Sequence, residues 1–250
     1  MINPKKRRIQ YSVTVFDQKK YKSKFVRFIA GVLIVVFFLS CFMIAFNKGN
    51  VFDSKKIFIV VAGGANNSKP LDRLAKDVKE MGGAGEIFES ESDYFVAINV
   101  YRDKDSADNV LTETQKVFKN AKVVSLVAKK IKKKTVSRIK KCETVYEYYR
   151  FLEDVFEDLC LLQMQFMLGK ITDYKICSNI LAKKLKLEEI VKNLERVKDD
   201  WKNIYNNASL LLWNCNYFLD NVLLKEKKQT ILCEFVLKVA FCVIESHNNL

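Results

Sequence analysis

The spacing of apolar residues divides the chain into three stretches. The first, Phe28–Phe46, holds nineteen residues without a charge. Residues 56–130 alternate short apolar runs with helical patterns, and residues 135–250 repeat apolar positions every three or four residues, as amphipathic helices do. The pattern predicts an α+β chain with an N-terminal transmembrane helix, a βαββαβ domain and a C-terminal antiparallel helical bundle.

The apolar segment Phe28–Phe46 is long enough, as a helix, to cross a bilayer core of roughly 30 Å. Nine basic residues and one acid, Asp17, precede it. The positive-inside rule then keeps residues 1–27 in the cytoplasm as a basic tail and exports the rest. A cleaved signal peptide is the alternative, but the segment ends in bulky residues rather than a small-residue cleavage site. We expect a single-pass protein of the cell membrane.

Residues 56–130 carry four runs rich in β-forming residues and two helical patterns in the order βαββαβ. The first helical pattern follows Pro70 and stops at Gly82-Gly83, a strong C-terminal signal. A shift of thirty-six residues superimposes the two halves, which predicts a four-stranded antiparallel sheet with both helices on one face. The other face would be an open binding surface. The predicted strands are Ile57–Ala62, Glu86–Glu89, Asp93–Tyr101 and Ala121–Ala128.

Two segments of this stretch resemble a known family. Phe58–Asn67 reads FIVVAGGANN and Tyr94–Ala107 reads YFVAINVYRDKDSA. Both are similar to the repeats of the SPOR (sporulation-related repeat) domain, in which an aromatic residue opens a valine-rich strand before a polar turn. The resemblance implies a ferredoxin-like fold that binds peptidoglycan glycan strands across the sheet face. On this chain the ligand-binding positions would be Ile59, Val61, Phe95, Ala97 and Asn99.

Two alternatives concern the same domain. Val61 stands where the family has Gln, and Asn99 where Gly is usual, so the fold could serve an interaction protein that lacks glycan recognition. RNA-binding RRM domains share the topology and stack bases on strand aromatics. The basic residue followed by Gly that this class requires is missing, so we expect no nucleic-acid partner.

A basic segment and a stretch of predicted helices follow the βαββαβ domain. Lys129–Lys141 carries eight basic residues and no acid; it would attract anionic polymers or lipid headgroups, or serve as a solvated linker. Beyond it, apolar stripes run from Val145 to Gly169, from Leu187 to Val222 and from Thr230 to Ile244. A three- or four-helix bundle explains these stripes, and the alternative is a docking groove for a protein partner.

The chain has few of the residues and motifs that are typical of catalytic sites. The only histidine is His247, near the C-terminus, and the chain has no GxSxG motif and no phosphate-binding loop. Cys41 lies in the apolar segment, and none of the seven cysteines forms a CxxC pair, which leaves small buried thiols or disulfides. We therefore predict no enzyme, no catalytic residue, no metal and no cofactor. The other six cysteines are Cys142, Cys160, Cys177, Cys215, Cys233 and Cys242.

These inferences define two hypotheses of function. The first is an envelope protein whose SPOR-like domain binds peptidoglycan glycan strands at division or sporulation septa. The second is a scaffold whose helical bundle recruits a membrane partner without binding glycan. Polar groups on the open sheet face distinguish the two hypotheses, because sugars need hydrogen-bonding groups beside flat apolar surfaces, and this face is apolar in sequence.

Overall fold

The computed structural model describes residues 52–222 and 228–248. The described part is α+β, with one four-stranded sheet and seven α-helices. The strands are β1 (Lys55–Ala65), β2 (Glu86–Ser90), β3 (Asp93–Tyr101) and β4 (Lys122–Ala128). The helices are α1 (Asp72–Glu80), α2 (Lys104–Gln115), α3 (Lys133–Lys141), α4 (Glu143–Met167), α5 (Asp173–Glu195), α6 (Lys202–Val222) and α7 (Lys228–Asn248).

The sheet has the order β2-β3-β1-β4, and every neighbouring pair is antiparallel. Its two central strands are dense in valine, isoleucine and aromatic residues, which pack well on a pleated surface. The β1–β3 ladder is interrupted: Val60 pairs with Asn99 but Val61 pairs with Ala97, so β3 carries one extra residue, Ile98. This β-bulge breaks the strict alternation of faces that the sequence pattern assumed.

Local signals fix two helix ends, and the first of them is the glycine stop that the sequence predicts. Helix α1 ends just before Gly82, whose φ of 91° is a backbone conformation that residues with a Cβ rarely adopt. Helix α2 is capped by Asp103, the residue before its first turn, whose carboxylate accepts the backbone N–H of Ser106 at 2.7 Å. Such a cap satisfies one of the helix's unpaired N–H groups.

Helical layers cover both faces of the sheet. On one face α1 packs through Ala75 and Val78 against Val96, which is fully buried. On the other face, one continuous core joins the sheet residues Ile59 and Ala97 to apolar side chains of α4, α5, α6 and α7. The sheet is thus the middle of three layers, and it shares its larger core with the C-terminal helices.

The C-terminal helices form a bundle in which α5 contacts α6, α6 contacts α7, and α4 contacts both α7 and α5. Helix α7 also contacts β3 and β4. Its side chains are buried on nearly all sides, which is typical of a helix at the centre of a protein. The buried residues of α7 are Thr230, Ile231, Leu232, Cys233, Phe235, Val236, Leu237, Val239, Ala240, Cys242, Val243, Ser246 and His247.

The transmembrane part of the predicted fold class requires correction. Over residues 52–222 and 228–248, no helix combines the length and apolar composition needed to cross a membrane. Even the central helix α7 carries Glu234 and Lys238. The segment predicted to span the membrane, Phe28–Phe46, lies outside the described residues, as does the basic tail at 1–27. The structure gives no support to a single-pass location in the cell membrane.

Candidate binding groove

The five sheet positions expected to bind a ligand lie inside the protein. Ile59, Val61 and Ala97 have no exposed surface, and Phe95 and Asn99 are 6% and 2% exposed. Four of the five belong to the core that the sheet shares with the C-terminal helices. The face on which the SPOR resemblance places a glycan is therefore occupied by the protein's own side chains.

Asn99 is the one polar member of this set, and its amide is satisfied internally. Its Oδ1 accepts the backbone N–H of Val100 at 2.8 Å, and its Nδ2 donates to the Tyr101 hydroxyl at 3.1 Å and lies 3.3 Å from the Met167 sulfur of α4. Burial raises the pKa of Tyr101 to about 12, although the hydrogen bond from Asn99 opposes this effect. The pair completes a buried polar contact rather than presenting groups to a ligand.

Aromatic rings hold α7 on the sheet. Phe88 of β2 lies 5.9 Å from Phe95 of β3 and 5.7 Å from Phe241 of α7, measured between ring centroids. Phe88 is 7% exposed. Tilted ring pairs at such distances add to the energy of apolar burial. These three rings tie two strands to the helix that covers them.

Polar contacts fix the two ends of α7. Near its N-terminus, the Thr230 hydroxyl donates to the carbonyl oxygen of Lys79 at 2.9 Å, and Glu234 forms a 2.7 Å ion pair with the Lys79 ammonium. Near its C-terminus, His247 Nδ1 lies 3.2 Å from the carbonyl oxygen of Lys129. Burial lowers the pKa of His247, so the neutral ring is favoured. The only histidine of the chain is thus a structural contact.

A second polar cluster joins α4 to α6 and α7. The Tyr148 hydroxyl donates to Asn207 Oδ1, and the Tyr149 hydroxyl donates to the carbonyl oxygen of Ser246. Burial raises the pKa of both tyrosines, so neither titrates at neutral pH. Asn207 Nδ2 lies 3.4 Å from Glu245. The cluster satisfies buried groups within the bundle.

An open concave surface lies elsewhere, between α3 and the connection from α5 to α6. It is a cavity of about 790 Å³ that is open to solvent. This binding groove, as we call it below, is lined almost entirely by polar and charged side chains. The lining residues are Lys134, Thr135, Ser137, Arg138, Lys141, Asp199, Asp200, Trp201, Lys202, Asn203 and Ile204.

Arg138 and Trp201 form the floor of the binding groove. The Arg138 guanidinium lies 4.5 Å from the centroid of the Trp201 ring, and its Nη2 donates to the carbonyl oxygen of Asp200 at 3.3 Å. Trp201 is 8% exposed. Stacking of this kind holds a guanidinium in one orientation without neutralising its charge. The floor therefore combines a positive charge with a buried aromatic ring.

The wall formed by α3 is basic. Five of its nine residues are Lys or Arg, none is acidic, and Lys134 and Lys141 are exposed. Ile139, which has no exposed surface, anchors the helix in the core, so the charges are carried on a fixed element. Opposite them, Lys202 adds a further positive charge and Asp199 and Asp200 add two negative ones. The binding groove has a net positive lining with acidic groups on one side.

The sequence indicates only the basic wall of the binding groove. The run Lys129–Lys141 was recognised as basic, with an anionic ligand as one interpretation. The acidic pair and Trp201 lie some sixty residues later, within the stretch from Leu187 to Val222 that the sequence predicts as a helical stripe. Nothing in the spacing of the chain indicates that α3 and the α5–α6 connection meet, because their contact depends on tertiary packing.

Three thiols of the C-terminal helices are buried in a form that disfavours reaction. All six described cysteines are free. Burial raises the pKa of Cys215, Cys233 and Cys242 to about 12 in each case, which suppresses the reactive thiolate. Among residues 52–222 and 228–248, no group of three or more His, Cys, Asp or Glu side chains could hold a metal ion.

Comparison with protein-family models, curated proteins and solved structures found no match. The similarity to SPOR repeats stays a prediction from the sequence, and no relative supports peptidoglycan binding or a role in sporulation.

Proposed function

We propose that this protein is a non-catalytic interaction protein that binds an acidic segment of a partner protein in the binding groove. The observation that carries the proposal is the groove itself: an open cavity of about 790 Å³ with Lys134, Lys141 and Lys202 on its walls and Arg138 fixed over Trp201 on its floor. A cleft whose lining carries a net positive charge attracts negatively charged segments and speeds their association.

The burial of the sheet face supports this choice over glycan binding. A glycan strand laid across Phe95 and Ala97 would have to displace α7, and with it the contacts of Phe241 and Thr230. That displacement would expose the core that the sheet shares with the C-terminal helices. Exposing so much apolar surface costs more than one carbohydrate site repays.

The two acidic residues favour a protein partner over a nucleic acid. A polynucleotide carries a negative phosphate at every step, so its backbone would be repelled by Asp199 and Asp200 along one wall. An acidic protein segment has neutral and donor groups between its carboxylates, and backbone N–H groups suit those two aspartates. Trp201 is covered by Arg138 and therefore offers no open face for stacking a base.

Binding is measured with the full chain and a fluorescently labelled peptide of alternating glutamate and serine. Lys134→Glu combined with Lys141→Glu should weaken peptide binding roughly 10-fold, since each exposed ion pair contributes up to about 1 kcal/mol and reversal adds repulsion. The matched control carries Lys76→Glu and Lys119→Glu, two exposed lysines that do not line the groove. The control should bind as the parent does, at an identical net charge.

Two results would overturn the proposal. Equal loss in the groove variant and the control would show that net charge, not the groove, attracts the peptide. Tighter binding of an oligothymidylate than of the peptide by the parent would make nucleic acid the partner class. Trp201 gives an independent signal, because Trp213→Phe leaves it as the only tryptophan and a bound carboxylate near Arg138 should change its fluorescence.

A further inference from the structure

The two edges of the sheet differ in how they are protected against pairing with another strand. Strand β2 has five residues, EIFES, two of which are glutamates. Short length and charge are common devices that prevent an edge from pairing. Strand β4 has seven residues, KVVSLVA, with one charge at its first position and no proline or glycine. Of the two edges, β4 is the unprotected one.

The backbone geometry of β4 also suits an added strand. It pairs with β1 in an unbroken register from Lys122↔Val61 to Ala128↔Lys55, whereas the β1–β3 ladder is interrupted twice. Within the described residues, β4 has no strand on its other side. Its outer backbone groups therefore form a regular row. Val127, which is 45% exposed, adds an apolar side chain beside that row.

The sequence of β4 is complementary to itself. When two copies pair antiparallel about Ser125, Val124 lies opposite Leu126 of the second copy, and Val123 lies opposite Val127. Lys122 falls opposite Ala128, so the two strands do not place their lysines against each other. Apolar and β-branched cross-strand pairs stabilise a ladder, whereas like charges directly opposite weaken it. A two-fold axis at Ser125 satisfies this condition along the whole strand.

We propose that β4 is a self-association edge through which two copies of this chain pair antiparallel about Ser125, joining two four-stranded sheets into one of eight strands. At about 3.4 Å per residue the strand is roughly 24 Å long. An interface formed by one strand edge of this length buries less area than the roughly 800 Å² per partner of a stable complex. The dimer is consequently reversible and depends on protein concentration.

Charge sets the salt dependence of this dimer. In the paired state, Lys122 lies close to Lys129 and Lys130 of the second copy. Lys130 is partly offset by its 2.7 Å ion pair with Asp53. The remaining repulsion is screened by salt, so dimerisation strengthens from about 50 to about 500 mM salt. Binding of an acidic segment in the binding groove weakens over the same range of salt concentration. Because salt changes the two interactions in opposite directions, dimerisation and segment binding can be tested separately.

The experiment is sedimentation equilibrium of the full chain and of two charge variants. Ser125 is exposed and lies on the proposed axis, so Ser125→Lys places two like charges directly opposite, and Ser125→Glu does the same with negative charges. Each variant alone should be monomeric, with the helix content and melting temperature of the parent. Mixing the two variants should restore a dimer, because the opposed charges then attract. Ser90→Lys, the same change on the β2 edge, is the matched control and should associate as the parent does.

Each other outcome contradicts the inference. A parent that is monomeric at all concentrations and salt concentrations shows that β4 does not associate. A dimer that persists in Ser125→Lys uses another surface. Monomers in the mixture of the two variants show that Ser125 is not on the axis.

Discussion

The contact between Phe88 and Phe241 permits a quantitative test of whether α7 packs on the sheet. The rings are 5.7 Å apart, Phe88 is 7% exposed, and the two residues belong to β2 and α7. Replacing either residue by leucine keeps an apolar side chain of similar volume, and each single change should cost about 1 kcal/mol of unfolding free energy. Leucine is chosen over alanine so that the double variant also folds.

The coupling between the two changes is the informative quantity. A tilted aromatic pair contributes about 0.5–1.5 kcal/mol beyond its buried area, so Phe88→Leu and Phe241→Leu together should cost less than the sum of their separate costs by that amount. Urea unfolding of the parent, the two single variants and the double variant measures it. The control cycle combines Phe241→Leu with Phe118→Leu, because Phe118 packs on the opposite face of the sheet. That pair should be additive within about 0.5 kcal/mol.

Additive costs in the Phe88–Phe241 cycle would refute the packing of α7 on the sheet. The sheet face would then be open, as the SPOR resemblance implies, and Phe95 and Ala97 would be available to a ligand. A coupling of the expected size leaves no room for a ligand there while α7 is docked.

Three further predictions follow from buried groups. Val96→Asp should unfold the protein, because an unpaired buried carboxylate costs several kcal/mol in a protein whose stability is about 5–15 kcal/mol. Circular dichroism checks this, and an unchanged melting temperature would contradict the packing of α1 against Val96. Gly64→Ala should lower the melting temperature, because the added Cβ would lie 2.5 Å from the Phe95 ring. His247 has a folded pKa below its usual 6.5, so its contribution to stability is present above pH 6.5 and is lost as the pH falls through the folded pKa. His247→Gln should flatten the fall in melting temperature below pH 6.5, and an identical pH profile would show that His247 does not titrate on unfolding.

The sheet and its helices could be predicted from local pattern alone. Asp93–Tyr101 matches β3 residue for residue, and the stop at Gly82-Gly83 follows the last turn of α1 by two residues. These elements are set by short-range preferences: β-branched and aromatic residues for strands, and glycine for a positive φ. Such signals need no knowledge of the remaining fold.

The covering of the sheet could not be predicted in the same way. Strand alternation puts Ile59 and Val60 on opposite faces of the sheet and does not tell which face is core, whereas both residues are fully buried. Strands rich in apolar residues on both sides are typical of sheets covered on both faces. The second signal lay in α7, whose apolar residues surround the helix, but its position on β3 depends on contacts more than one hundred residues apart in the chain.

The binding groove was the least accessible to prediction. Its basic wall follows from composition, but its floor requires Arg138 to meet Trp201, and no periodicity relates these two residues. The same holds for the β4 edge, since only the strand order shows which strands lack a neighbour.

The central claim is that the sheet and the C-terminal helices form one folding unit, and native-state hydrogen exchange tests it most directly. The amides of Val96 and Ala97 in β3 and those of Val236 and Ala240 in α7 should open with the same free energy, equal to that of global unfolding, because they belong to one compact unit. Exchange of the α7 amides at a clearly lower free energy, while the β3 amides stay protected, would contradict it.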